Sequence, residues 1–405
     1  MDNQTLTCDV LIVGGGPAGL SVASTLPDDV KTVIVHQDRE IGLPVRTSGG
    51  CWMEDIERLG IPDEMYNRLN TNEAFADEAH TFIPMGDAVP VILDTPKVYK
   101  WLAEQSDHKD RTLLLETKFL STRLRDDGLY ESEIRARDDA YDRVVSKYIV
   151  DGSGWHFAVL DSLGLAPKPE RLAVGTEYEY PLGDNQPDRG IIFLGEKVPA
   201  GYGWAFGTSR GTLRIGVGVI QPDTNESPRK LLDSVIKDKP YLDRLGLKLE
   251  GEPVVHSGIL PSVAYDDRLV FGNVIRVGDS ANFATPTAGE GIRVCIELGR
   301  LLGGQLGKAV KTGRHAPLKS YERHCRRKLK RDYKWGFLVN NRAAKYTPDN
   351  WNASVRRMSK LGPDAVVATL RGEFPLIKVA KISWSVFRTL IRSRLRRLKS
   401  RLGRA

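Results

Sequence analysis

The sequence predicts an α/β chain with an α+β second part: a Rossmann-like dinucleotide-binding domain, an antiparallel-sheet domain and a C-terminal helical region. Three observations predict it. Cys8 to Val13, a short apolar run, leads into a glycine-rich turn and then a helical pattern. Leu172 to Val219 is dense in strand-like segments split by Gly, Pro, Asp and Asn. From Lys319 onward the chain reads as basic and helical, with no evident strand.

The run CDVLIV is rich in β-branched residues, as a buried strand is. Leu20, Val22, Ala23 and Leu26 continue at helical spacing, and Lys31 to His36 (KTVIVH) reads as a second strand, completing a βαβ unit of about 30 residues. Within the turn, Gly14 permits a sharp exit from the strand, Gly16 lets the backbone approach a pyrophosphate, and Gly19 lets the helix pack on the sheet. Ala18 lies between them, and the helix N-terminus supplies N–H groups and partial positive charge. A strand before and a helix after are the context this motif requires. One element is off pattern: the acidic residue expected about 20 positions on is replaced by His36 and Gln37, with Asp38 next. Gln37, through its amide oxygen, and Asp38, from the loop, are the candidates for the ribose hydroxyls.

Thr112 to Leu115 and Tyr148 to Val150 are apolar runs that extend a parallel sheet. Glu177 to Tyr180, Ile191 to Leu194 and Thr212 to Val219 read as an antiparallel sheet, to which the strand-like Thr81 to Leu93 is expected to contribute. After Asn273 the chain returns to a strand running into a turn (VIRVGDSAN), then a Leu- and Gly-rich helix to about Gly307. The expected organisation is a discontinuous cofactor-binding domain of residues 1–80, 97–168 and 268–310, an antiparallel-sheet substrate domain of 81–96 and 169–267, and a helical region of 311–405.

A second motif, Val277-Gly278-Asp279-Ser280-Ala281, is followed by Pro286 and by Gly289-Glu290-Gly291-Ile292. It resembles the second flavin fingerprint of the para-hydroxybenzoate hydroxylase superfamily. That resemblance implies FAD, with Asp279 at the ribityl or pyrophosphate region and the helix after Gly289, Gly291 and Ile292 facing the flavin pyrimidine, where its dipole stabilises a reduced, anionic ring. Taken alone, Asp279 reads equally as a helix cap. Asp151-Gly152-Ser153-Gly154-Trp155 fits a further superfamily segment, except that Phe157 stands where a Ser is usual. Within the superfamily the chain resembles the geranylgeranyl reductases, which saturate isoprenoid double bonds. Ile41 to Arg46 looks like their loop after the second strand, placing Arg46 by the cofactor. Pro199-Ala200-Gly201-Tyr202-Gly203-Trp204-Ala205-Phe206 resembles their substrate motif, with Gly207 in place of the last Pro. The resemblance spans roughly Cys8 to Gly307.

Tyr202, Trp204 and Phe206 alternate, so on a strand they project to one face and form an apolar wall suited to a long hydrocarbon. Ordinary sheet packing is the competing reading of the spacing. Cys51 lies four positions beyond the site where many of these reductases have a flavin-side cysteine; Thr47 occupies that site. Tyr202 and Cys51 are the candidate proton donors, and Cys51 reads equally as a buried structural cysteine. The seven histidines show no metal-ligand spacing, and no G-x-S-x-G elbow is present.

Four scattered cysteines and an N-terminus without a secretory pattern point to a reducing, cytoplasmic setting. The net charge of +7 belongs to the end of the chain: residues 388–405 hold eight basic side chains and no acidic one, leaving 51 basic against 52 acidic elsewhere. A near-neutral body argues against nucleic acid. Ile391, Leu395, Leu398 and Leu402 form one helical stripe within this basic tail, the composition of an interfacial helix on the inner face of an anionic membrane; a solvated or protein-docking arm is the alternative. The leading expectation is an FAD-dependent oxidoreductase that reduces C=C bonds of a polyprenyl lipid by hydride transfer from reduced flavin, with NAD(P)H or a reduced ferredoxin-type protein as electron donor. Its rivals are a flavin monooxygenase of the same fold acting on an aromatic or secondary metabolite, and a non-catalytic electron carrier or lipid-binding scaffold.

Overall fold

The structure, a computed structural model, describes residues 4–137 and 141–374. The basic tail and the apolar stretch leading into it therefore lie outside the described residues.

Gln4–Val13 is the centre of a parallel sheet whose order runs Arg111–Leu114, Thr32–Val35, Gln4–Val13, Tyr141–Asp151, Val274–Arg276. All four residues of Thr32–Val35 are buried, as expected of a strand covered on both faces. Tyr141–Asp151 also pairs antiparallel with Tyr130–Arg135, which pairs with Lys118–Leu124, a meander with no counterpart in the sequence expectation.

One face of this sheet carries the helices Pro17–Thr25, Ile292–Thr312 and Ala316–Ala343 around a shared core that includes Ile12, Val22, Leu298, Leu302 and Tyr321. The second helix continues past the expected Gly307 to Thr312. Its Gly299, Gly303 and Gly307 recur every four residues on one face. A Cβ there would meet Ala18 O at 2.7 Å, Val22 O at 2.2 Å and Pro27 Cδ at 2.3 Å, so only glycine lets the two helices approach this closely.

The second sheet has seven strands in the order Val254–Pro261, Leu172–Pro181, Thr212–Gln221, Val198–Gly207, Arg189–Gly195, Thr71–Phe75, His80–Phe82. All pairings are antiparallel except Arg189–Gly195 with Thr71–Phe75. Two strands depart from the sequence expectation. Thr71–Phe75 joins this sheet although it precedes Thr81. Of Thr81 to Leu93, only the first residues do, within His80–Phe82; Pro90–Leu93 instead pairs with Gly50–Trp52 and Tyr66–Arg68 in a small separate sheet. The turn after Phe82 carries Pro84, Gly86 and Asp87, which interrupt the alternation and release the chain from the large sheet.

The side-chain period of two sorts this large sheet into functional faces. Ile215, Val217, Tyr178 and Tyr180 point to the helices Pro228–Lys237 and Lys239–Leu245. Arg214, Gly216, Gly218, Glu177, Tyr202 and Trp204 take the other face, towards the parallel-sheet unit. The last two helices cover one end of this sheet. Pro348–Met358 and Pro363–Arg371 pack Val355 and Val366 on Ala74, Ile83 and Leu194, and Asn352 Oδ1 accepts the Glu78 N–H at 2.8 Å. Among the described residues, no helix is long and apolar enough to cross a membrane, and no cluster of side chains could hold a metal ion.

Candidate functional site

A single cavity of about 1300 Å³ runs from the N-terminal glycine turn to the antiparallel sheet. Ligand sites for one drug-sized molecule occupy roughly 300–1,000 Å³, so this space accommodates more than one such ligand.

At its first end, Gly14 has φ 112°, and a Cβ on it would lie 2.2 Å from Gly152 O; a Cβ on Gly19 would lie 2.1 Å from Gly14 O. Both glycines are demanded by backbone against backbone. Gly16 differs: nothing lies within 4 Å of its Cβ position, which opens on the cavity. Gly16 also caps Pro17–Thr25 without any side-chain hydrogen bond, leaving the helix N–H groups directed at that opening. Ala18, on the buried side, supports Gly278: a Cβ on Gly278 would come within 2.8 Å of Ala18 Cβ.

The end of the second strand is arranged differently from an acidic ribose site. His36 Nδ1 accepts the Gly15 N–H at 3.2 Å, and burial lowers the pKa of its imidazole, keeping it the neutral acceptor that this bond requires. Gln37 is exposed at the cavity rim. Asp38 is engaged by Arg46 in a two-pronged pair, Nη1–Oδ2 2.7 Å and Nη2–Oδ1 2.9 Å. The loop at Arg46 lies directly on Gly258, where a Cβ would be 2.0 Å from Arg46 O.

The second motif lies across the cavity. Gly278–Ala281 is a single 3-10 turn, with Ser280 Oγ donating to Asp151 O and Val277 O. Asp151 is fully buried; its carboxylate accepts from Ser153 and from the Val159 and Leu160 N–H groups, so it organises the loop rather than facing a ligand. Phe157 is buried in the core behind it. Asp279, by contrast, faces the cavity, and burial raises its carboxyl to about 6. It caps no helix through its side chain. Gly289 has φ 71°, and Gly291 caps Ile292–Thr312 without a side-chain bond, so a second helix N-terminus is directed at the cavity, with Ile292 buried at its start.

The aromatic strand forms the next wall. Tyr202, Trp204 and Phe206 all line the cavity. Tyr202 donates its hydroxyl to Ala288 O at 2.6 Å, joining the sheet to the Gly289 loop, and burial pushes its phenol up to about 12. The Trp204 ring lies on a floor of glycines: a Cβ on Gly216 would meet the ring at 2.4 Å, and one on Gly218 at 3.3 Å. Its Nε1 donates to Glu177 Oε2 at 2.7 Å. Behind Glu177, Arg214 is completely buried, 3.2 Å from Glu179 Oε2, and donates to Ser48 O in the loop before Cys51. Burial alone would push the Glu179 carboxyl up, but hydrogen bonds from His256 and Thr212 and the charges of Arg214 and Arg210 outweigh it and bring it down to about 2. Cys51 is buried against Leu20, Ile292 and Ile296, and burial raises its thiol well above the ordinary range, so it is no thiolate nucleophile.

The far end is an apolar chamber walled by Ala74, Ile83, Ile192 and Leu194, and closed by Trp351, Met358 and Leu370 of the C-terminal helices. Sequence reasoning missed these last three, and also Glu177 and His256. The signal for Glu177 was present, since the EYEY segment alternates charge with aromatic residues and places two carboxylates on one sheet face; Trp351 and Met358 lie at helical spacing in a segment read only as basic helix.

The sequence pattern of the FAD binding domain family matches residues 7–334. The chain is similar to digeranylgeranylglycerophospholipid reductase 3 of Methanosphaera stadtmanae, with 26% identity over 321 residues, 75% of this chain and 78% of that protein. Among solved structures it superposes on a geranylgeranyl bacteriochlorophyll reductase-like protein of Thermoplasma acidophilum with TM-score 0.79, at 20% identity and covering 94% and 99% of the two chains. On p-nitrophenol 4-monooxygenase of Pseudomonas putida the TM-score is 0.69, at 17% identity and 91% and 97% coverage. The structural likenesses establish the shared fold.

Proposed function

The chain belongs to the FAD binding domain family and is an FAD-dependent oxidoreductase; on that premise we propose that it reduces carbon–carbon double bonds of a polyprenyl lipid. The observation that carries the proposal is the continuity of one cavity from the glycine turn into an apolar chamber. The likeness to a reductase named for a digeranylgeranyl phospholipid supports it.

The residues fit the cofactor. The open space at Gly16 and two uncapped helix N-termini suit a pyrophosphate and an electron-rich ring edge. In this reading Gly14, Gly16, Ala18 and Gly19 hold the pyrophosphate, Gln37, Asp38 and Arg46 the adenosine side, and Asp279, Gly289, Gly291 and Ile292 the flavin side. Reduced FAD, when bound, supplies hydride to one alkene carbon. The chain's own part is orientation, exclusion of water and proton supply. Trp204 is pinned by Glu177 and by the glycine floor, and with Tyr202 and Phe206 it presents a rigid apolar wall to the hydrocarbon. Tyr202 and Cys51 line the cavity and are the candidates to pass a proton to the second carbon; burial keeps both protonated, so neither serves as a base, and Tyr202 would have to release Ala288 O to donate. Electrons come from NAD(P)H or a ferredoxin-type protein.

Incubation of the dithionite-reduced protein with geranylgeranyl diphosphate and with a prenylated glycerophospholipid, followed by mass spectrometry, tests the reading. A product gaining a pair of hydrogens per double bond is expected. No gain with any polyprenyl substrate, together with oxygen consumption stimulated by an aromatic compound, transfers the assignment to a monooxygenase.

A further inference from the structure

The helix Ala316–Ala343 has one face in the core and one left bare. Tyr321, Cys325, Leu329 and Tyr333 turn inward, whereas Trp335, Leu338 and Val339 are 39%, 50% and 39% exposed. Spacings of three and four residues bring these three onto one face. The helix around them is strongly basic, with nine Lys and Arg against two acidic residues. Lys328, Lys330 and Arg331 have carboxylate partners, and among the described residues Arg327, Lys334 and Arg342 have none. The patch also runs into the cavity, because Val339, Asn340, Arg342 and Ala343 belong to its wall. Arg171 fixes this part of the helix to the antiparallel sheet, donating to Asn340 Oδ1 at 2.7 Å and Ser262 O at 2.6 Å.

We propose that the face carrying Trp335, Leu338 and Val339 docks on an anionic phospholipid bilayer and places this part of the cavity wall at the headgroup boundary. A prenyl chain then passes from the acyl layer into the cavity without crossing water; this purpose rests on the polyprenyl-lipid reading above. An indole and two aliphatic groups ringed by basic side chains have the composition of an interfacial contact. Charge selects the occupant. A second copy of the chain would bring the same basic face, and residues 388–405, with eight basic side chains and no acidic one, carry the same sign; both are repelled where an anionic surface is attracted. An acidic protein would match the charge but would leave unexplained why the apolar patch continues into the cavity wall.

The test uses the full-length, FAD-loaded protein and vesicles of phosphatidylcholine with or without phosphatidylglycerol. Co-sedimentation is expected only with the anionic vesicles. The double variant Trp335→Ser/Leu338→Ser, checked for unchanged FAD content, should partition about tenfold more weakly, and Trp335→Phe should retain binding. Lipids brominated in the acyl chain should quench a component of tryptophan emission that Trp335→Phe lacks. Undiminished binding by the double variant, or no quenching assignable to Trp335 in the bound state, overturns the proposal in favour of the tail alone. A dimer in light scattering that the double variant abolishes overturns it in favour of a second copy. Turnover of detergent-dispersed prenyl lipid should be equal in wild type and double variant, with only vesicle-embedded substrate affected. If neither form of substrate is turned over, the polyprenyl reading fails while the vesicle result still decides the docking surface.

Discussion

The two ends of the cavity are built on opposite principles. At the glycine turn the shape is made by backbone: Gly14, Gly19 and Gly152 touch main chain to main chain, and the only open direction is above Gly16. At the chamber the shape is made by side chains from five separate stretches, from Ala74 through Ile192 and Trp204 to Trp351 and Leu370. At Gly14 and Gly19 the first is intolerant of an added atom, and at Gly16 it leaves room for one. The second tolerates exchange of one hydrocarbon for another, and on the proposed reading that freedom would set which substrate fits. On that reading the cofactor would be held by geometry and the substrate chosen by packing.

That contrast can be broken most forcefully at the turn. Gly14→Val or Gly19→Val drives a side chain into a carbonyl oxygen, at a cost of roughly 3 kcal/mol or more, and should yield protein without flavin absorbance at 1:1 loading. Gly16→Ala, whose methyl meets only open space, should fold normally yet bind FAD roughly tenfold more weakly, by titration of the flavin-free protein, because on the proposed placement the methyl takes the room of the pyrophosphate.

The next effect is electrostatic. Asp279 has a native pKa of about 6 against an ordinary 3.8. An acid raised on folding holds its proton more tightly in the native state, so flavin-free protein loses stability as pH rises from about 4 to 6, by up to about 3 kcal/mol. Urea unfolding across that range should show a smaller decline in Asp279→Asn than in the wild type, since Asp151, Glu177 and Glu290 are raised by burial too. Glu179 runs the other way: its carboxyl is depressed to about 2, so the stability it contributes is present above its ordinary value and lost as pH falls towards 2.

At the aromatic wall, Gly216→Ala places a methyl 2.4 Å from the Trp204 ring. It should lower turnover about tenfold by displacing the indole, with FAD content unchanged; an equal loss of flavin would show that the two ends are not separable. The smallest effect is expected from Trp351→Ala in the chamber cap. Stability should fall by about 1–2 kcal/mol in urea, and KM for the longest prenyl substrates should change more than kcat.

The same contrast explains how much the sequence disclosed. The turn was legible because its requirements are local: a strand, three glycines at fixed spacing and a helix lie within thirty consecutive residues. The Gly278 to Ile292 motif was legible for the same reason, although its dependence on Ala18 was not. His36 as the acceptor for Gly15 escaped notice because the expectation there was an acidic side chain reaching for a ligand, not an imidazole bracing the turn. The chamber was half legible. Alternation put Tyr202, Trp204 and Phe206 on one face, but their partners come from strands and helices as distant as Leu370, 168 residues from Tyr202, and no local spacing encodes that. Nor did periodicity reveal that Thr71–Phe75 enters the antiparallel sheet: it forms a short hairpin with His80–Phe82, but its parallel pairing with Arg189–Gly195 joins stretches distant in sequence and leaves no local signal.

The glycine seam between Pro17–Thr25 and Ile292–Thr312 has a kinetic meaning. With Gly299, Gly303 and Gly307 letting the backbones touch, the two helices whose N-termini open on the cavity are braced against each other, and if they hold the flavin as proposed they act as one stiff bracket. Binding then requires little ordering of the protein, and release requires the bracket itself to yield. On that placement the expected outcome is slow departure of the flavin rather than fast capture. A single methyl at Gly303, which would sit 2.2 Å from Val22 O, should shorten the residence time of a cofactor that it never touches.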